Sequence, residues 1–101
     1  MKIPGVLTCL LLAPLISNAV SETVTLIEAF TNKNDVLIVR LKGASTEYTV
    51  SCNADNETCR VPSKHVKYFL GDTNNKLYKC HMQALYLNGI QFGLYCLSEV
   101  R

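Results

Sequence analysis

The clearest pattern in the chain lies in residues 76–98, where two apolar runs flank Asn88-Gly89. An Asn-Gly pair between such runs predicts a β-hairpin. With a two-residue loop, Cys80 would face Leu97 and Cys96 would face His81, and each face of the hairpin would mix polar with apolar side chains. A three-residue loop, Leu87-Asn88-Gly89, closes on a glycine that takes positive φ without steric cost and forms a bulge. It sets Tyr86 opposite Ile90, Ala84 opposite Phe92, Met82 opposite Leu94 and Cys80 opposite Cys96. Leu85–Gln91, Gln83–Gly93, His81–Tyr95 and Lys79–Leu97 then share the more polar face. This register sorts the faces and brings two cysteines together, and a slip of one residue would undo both. The expectation is therefore the bulged loop, with a Cys80–Cys96 disulfide across strands whose facing Cα atoms lie about 4.5–5.5 Å apart.

Upstream, residues 22–30 predict a strand whose alternation changes parity, from Val24 and Leu26 to Ile27 and Ala29, as at a bulge or an edge. Residues 31–35 are a turn by composition, and 36–42 open on a continuous apolar run that suits a strand covered on both faces for half its length. Residues 47–52 alternate, with Tyr48, Val50 and Cys52 inward. Residues 60–70 read in two ways. As a helix over 63–70, Ser63 caps it and Gly71 ends it; as a strand, Val66, Tyr68 and Leu70 share a face and 71–75 turn into the final hairpin. Two turns are short for a helix, and the strand is preferred. Five to seven short strands with polar turns predict an all-β fold, a small antiparallel meander, sandwich or open barrel.

Composition adds the compartment. Lys2, an apolar stretch at 6–16 and small residues at Ser17-Asn18-Ala19 form a secretory signal pattern, too short to span a bilayer, with cleavage expected after Ala19. Cys9 leaves with it. The expected mature chain, residues 20–101, is one small domain of 82 residues with four cysteines. An even number in an exported chain implies a disulfide framework, and pairing Cys80 with Cys96 leaves Cys52 with Cys59. Such a domain has a marginal core, so the two rings, worth about 3 and about 2.5 kcal/mol on the loop-entropy model, matter to its stability. Asn56-Glu57-Thr58 matches an N-glycosylation acceptor, a pattern common by chance.

Without Lys2 the chain carries nine basic and eight acidic residues, which argues against a dedicated nucleic-acid binder. The basic residues are unevenly spread, with Arg60, Lys64, Lys67, Lys76 and Lys79 close in sequence. His65 and His81 are the acid–base candidates near neutral pH, and a nuclease-like hydrolase would use both around a phosphate with Lys67 or Lys79. The cysteine spacings do not match the short knuckles of structural zinc sites, and no cofactor motif is present. By elimination and size, the expectation is an exported binding module of the inhibitor, immunity or envelope-accessory kind. Its partner would be a protein or envelope component. Its surface is sought around Lys79, His81, Gln83, Gln91 and Tyr95, with His65 and Lys67 on a neighbouring strand. The alternatives are the small hydrolase and a purely structural surface protein.

Overall fold

A computed structural model describes residues 21–73 and 80–101. The expected signal segment, residues 1–19, and Lys79 lie outside the described residues. Six antiparallel strands follow in order: β1 (Ser21–Thr31), β2 (Val36–Lys42), β3 (Glu47–Asn53), β4 (Tyr68–Asp72), β5 (Met82–Leu87) and β6 (Ile90–Val100). They close a barrel in the spatial order β1-β2-β3-β6-β5-β4, with β4 returning to β1. The described residues contain no helix, so the segment 63–70 resolves in favour of the extended reading, with the strand itself beginning at Tyr68. No helix among them is long and apolar enough to cross a membrane.

The local causes are visible in each element. β1 keeps one parity through Leu26, then changes register before Glu28, so Ile27 is the extra residue of a bulge and Ala29 returns inward opposite Val39. The turn after β1 is shaped by the Asn32 carboxamide oxygen, which accepts from the Asn34 and Val36 amides, and by Asp35 at φ 60°. In β2, Leu37, Val39 and Leu41 are fully inward while Val36 and Ile38 are half-covered on the outer wall. In β3, Tyr48 and Val50 point to the core as the alternation predicts.

A six-stranded barrel is too narrow to hold a ligand, and side chains fill it. Its core is Val24, Leu37, Val39, Leu41, Val50, Leu70 and Leu85 around three buried tyrosines, Tyr48, Tyr68 and Tyr95. Buried phenols need partners. Here their hydroxyls reach the two ends of the barrel: Tyr48 donates to Glu22 at one, while Tyr95 donates to the Arg60 carbonyl at 2.6 Å and Tyr68 accepts from the Ser63 amide at 2.9 Å at the other.

The final hairpin forms, but in a different register from the expected one. Asn88 (φ 53°) and Gly89 (φ 83°) make a two-residue turn between Leu87 and Ile90. A bulge then follows inside β6, at Phe92, so that Leu85 faces Gly93, Ala84 faces Leu94 and Met82 faces Cys96. From Met82 to Leu85 the facing pairs keep the expected parity and are displaced by two positions, while beside the turn Tyr86 faces Gln91, displaced by one. The faces are also exchanged relative to the core: Leu85 and Tyr95 belong to the interior, whereas Met82 and Ala84 lie on the outer wall and are nonetheless buried. The physical reason is that β5 is covered on both faces, so apolarity alone does not identify its inner side. The cysteines still meet. Cys80 precedes the strand, where the chain bends, and the Cys80–Cys96 disulfide joins Cα atoms 5.6 Å apart. Cys52 pairs with Cys59, also at 5.6 Å.

Candidate functional site

The order of the strands forces one long connection. β3 and β4 are not neighbours, so residues 54–67 must cross one end of the barrel, beneath β6 and β5. This strap has no regular secondary structure, a length that is uncommon in a compact domain unless the loop has a task. It is fastened at successive points. The Ala54 amide donates to the Asp35 carbonyl at 2.8 Å, and the Asn56 carboxamide accepts from the Thr58 amide and hydroxyl. The Thr58 carbonyl accepts from the Leu94 amide at 3.0 Å, continuing the β6 edge where β3 has diverged. Then come the Cys52–Cys59 disulfide, the Tyr95 hydroxyl on the Arg60 carbonyl, buried Pro62, and Ser63 on Tyr68. Gly93 belongs to this seam: a Cβ there would come 2.5 Å from the Tyr95 hydroxyl oxygen and 2.9 Å from the Thr58 carbonyl oxygen. Burial is the main reason the Tyr95 phenol is held well above its ordinary pKa, with Tyr68 adding to it; the hydrogen bond to Arg60 opposes it.

The strap presents Arg60 to solvent with its guanidinium 5.9 Å from the centre of the Phe92 ring. Phe92 in turn packs on Tyr68 with ring centres 5.0 Å apart. Two adjoining clefts of about 210 and 290 Å³ share Arg60, Gln91 and Phe92 as walls; Glu57 and Thr58 line one, and Leu87, Asn88 and Ile90 the other. Ile90 is 73% exposed and Val61 58%. Among the described residues no carboxylate pairs with Arg60, whereas Arg40 holds Glu28 and Glu47, and Arg101 holds Glu99. Lys64, His65 and Lys67 are exposed on the same strap.

The far end of the barrel is built differently. Asp72 Oδ1 receives His81 Nε2 at 2.8 Å and the Gln83 amide nitrogen at 3.0 Å. Gln83 is fully buried, and its Oε1 has no partner. Glu22 accepts from the Tyr48 hydroxyl and the Ala44 amide. Burial first, and the bond to Glu22 second, push the Tyr48 phenol up to about 12.

The residues expected to share one open face are therefore dispersed. Gln83 and Tyr95 are buried in the barrel, His81 sits at the far end, Gln91 is exposed beside the strap, and Lys79 lies outside the described residues. His65, at φ 65° in the strap, and His81 lie at opposite ends of β4, so the structure does not bring the two imidazoles together. Among the described residues no three His, Cys, Asp or Glu side chains converge as metal ligands. The sequence pattern assigns Phe92 and Ile90 to the hairpin's apolar face, gives Val61 no role, and marks Arg60 only as one of several basic residues. The available signal was Cys59-Arg60-Val61-Pro62, a cation held between a half-cystine and a stiff Val-Pro pair.

Fold and site together define a small closed antiparallel β-barrel, stapled by two disulfides and capped at one end by a fastened, basic strap. Comparison with protein-family models, with curated proteins and with solved structures gives no match.

Proposed function

We propose that this chain is an exported binding module, of the inhibitor, immunity or envelope-accessory kind, and that the strap and the adjacent β5–β6 turn form its recognition surface. The observation that supports the reading best is the fastening of residues 54–67. A long connection tied at this many points presents its outward side chains in one arrangement, which lowers the entropic cost of docking. Rigid scaffolds carrying functional loops are a general solution to recognition. Export is supported by the apolar N-terminal pattern, and the two disulfides are compatible with an oxidising, extracellular or periplasmic location.

The test places a photo-crosslinking amino acid at Val61 or at Ile90, with Glu99 at the far end of β6 as control, and irradiates the mature protein in envelope extracts. A discrete adduct from 61 and 90, not from 99, and lost on reduction of the disulfides, is the expected result. Adducts from 99 alone, or none at any site, would reject the reading.

A further inference from the structure

We infer that Arg60 is the anchor for a carboxylate on an acidic, apolar-bearing protein segment, which lies along the two clefts that Arg60 divides. The inference rests on the preceding reading of the strap as the recognition surface and specifies its partner.

Three observations carry it. Arg60 is preorganised: its carbonyl is bound by Tyr95, its neighbour Cys59 is disulfide-linked, and its guanidinium lies over Phe92. An arginine resting on a ring keeps its planar edge free for a bidentate carboxylate, and such fixed arginines are frequent energetic centres of interfaces. Second, among the described residues no carboxylate neutralises its charge. The other described arginines hold carboxylates, while Arg60 has none, and the exposed Lys64 and Lys67 follow it on the strap. Glu57, which lines one cleft, is the opposing charge on that side, so the carboxylate is placed toward the Leu87–Ile90 side.

Third, the surroundings of the cation are those of a protein ligand. Val61, next in the chain, and Ile90 are exposed, Ile90, Leu87 and Phe92 form cleft walls, and Asn88 and Gln91 add amide groups that can bond a peptide backbone. A phosphate backbone could use the charges but would leave the exposed isoleucine and valine uncovered, since it binds through charge alone. An acidic segment with an isolated apolar side chain satisfies both the charge and the apolar wall.

The experiment uses the oxidised mature protein and a fluorescein-labelled peptide alternating glutamate and leucine, with binding followed by anisotropy and by amide chemical shifts. The expected result is saturable binding that weakens with salt, with the largest shifts at Arg60, Ile90 and Gln91. Arg60→Ala should weaken it at least tenfold. Arg60→Lys, which keeps the charge and loses the fork, should recover only part of that. Ile90→Ser should weaken it severalfold, and the peptide with glutamine for glutamate should bind at least tenfold more weakly. The Arg60 carbonyl remains bonded to Tyr95 in both Arg60 variants, so an unchanged thermal midpoint separates recognition from folding. The inference is overturned if the glutamine peptide binds as well, if Arg60→Ala has no effect, if no shifts occur on the strap, or if a single-stranded oligonucleotide of equal charge displaces the peptide at equal concentration. Adducts at 61 and 90 in the crosslinking experiment, together with a silent Arg60→Ala, would leave the recognition surface standing and remove only the carboxylate anchor.

Discussion

If the strap is one cooperative piece whose closure depends on its own disulfide, then deleting that disulfide should open it without opening the rest of the barrel. The perturbation is the double variant Cys52→Ala/Cys59→Ala, with Cys80→Ala/Cys96→Ala as its counterpart. The half-cystines are separated by seven positions in the first ring and by sixteen in the second. Chain entropy assigns them about 2.5 and about 3 kcal/mol, so urea titration should show similar global losses in the two variants. Their local effects should differ. The Leu94 amide donates to the Thr58 carbonyl, one residue before Cys59, and can exchange only when the strap lifts. Removing the Cys52–Cys59 ring lowers the cost of that opening by up to about 2.5 kcal/mol, which is about seventyfold in hydrogen-exchange rate. In the Cys80→Ala/Cys96→Ala variant the Leu94 amide should exchange as in the parent. Equal acceleration of Leu94 in both variants would mean that it exchanges only through global unfolding, and would refute the strap as a separate unit.

Three further outcomes follow from the packing. Gly93→Ala should lower stability by roughly 1–3 kcal/mol in a urea titration, because the new methyl meets the Tyr95 hydroxyl and the backbone carbonyl of Thr58, which has little room to retreat. Gln83→Leu should cost less than about 1 kcal/mol or stabilise, since it removes a buried acceptor without a partner while Asp72 keeps His81; a loss above about 2 kcal/mol would show that the amide donor dominates. Stability should fall as pH rises above 10 and through about 12, because the Tyr48 phenol, raised by burial and by Glu22, binds its proton more tightly folded than unfolded; its contribution is complete below the unfolded pKa and lost through the folded one. Tyr95 acts in the same direction. Phenolate absorbance tracked beside circular dichroism, with Tyr48→Phe and Tyr95→Phe to assign the signal, checks this, and ionisation of Tyr48 and Tyr95 at pH 10 with the fold intact would contradict it.

The elements of this barrel are legible in the sequence because each announces itself locally. The parity change at Leu26–Ile27 marks the bulge, Asn88-Gly89 marks the turn, and the Tyr68–Leu70 alternation outweighs the helix signals around Ser63. The disulfides are legible because pairing needs only the right parity and a short reach. A displacement of two positions leaves Cys80 able to meet Cys96 once the chain bends before β5. What pattern cannot supply is the side of β5 that faces the core. Met82 and Ala84 are as buried outside as Gln83 and Leu85 are inside, so no alternation of polarity distinguishes them. That ambiguity placed Gln83 and Tyr95 on an open face. Closure of the barrel is equally hidden, since pairing β1 with β4 and β3 with β6 depends on contacts far apart in the chain.

Closure also decides where recognition is to be sought. With Tyr48, Tyr68 and Tyr95 filling the interior, the barrel offers its wall and its two ends. The far end turns its polar groups on one another: Glu22 takes Tyr48 and the Ala44 amide, and Asp72 takes His81 and Gln83. At the capped end the bonds from the barrel's tyrosines go to the strap's backbone, and while Pro62 and Val66 turn inward, Arg60, Val61, Lys64 and Lys67 face outward. The Tyr95 hydroxyl binds the carbonyl of Arg60 and leaves its guanidinium free; the Tyr68 hydroxyl binds the amide of Ser63. A segment fastened through its main chain exposes its side chains without letting them collapse onto the protein. Arg60 and Val61 stay exposed for that reason, and it gives the two ends of the barrel different parts to play.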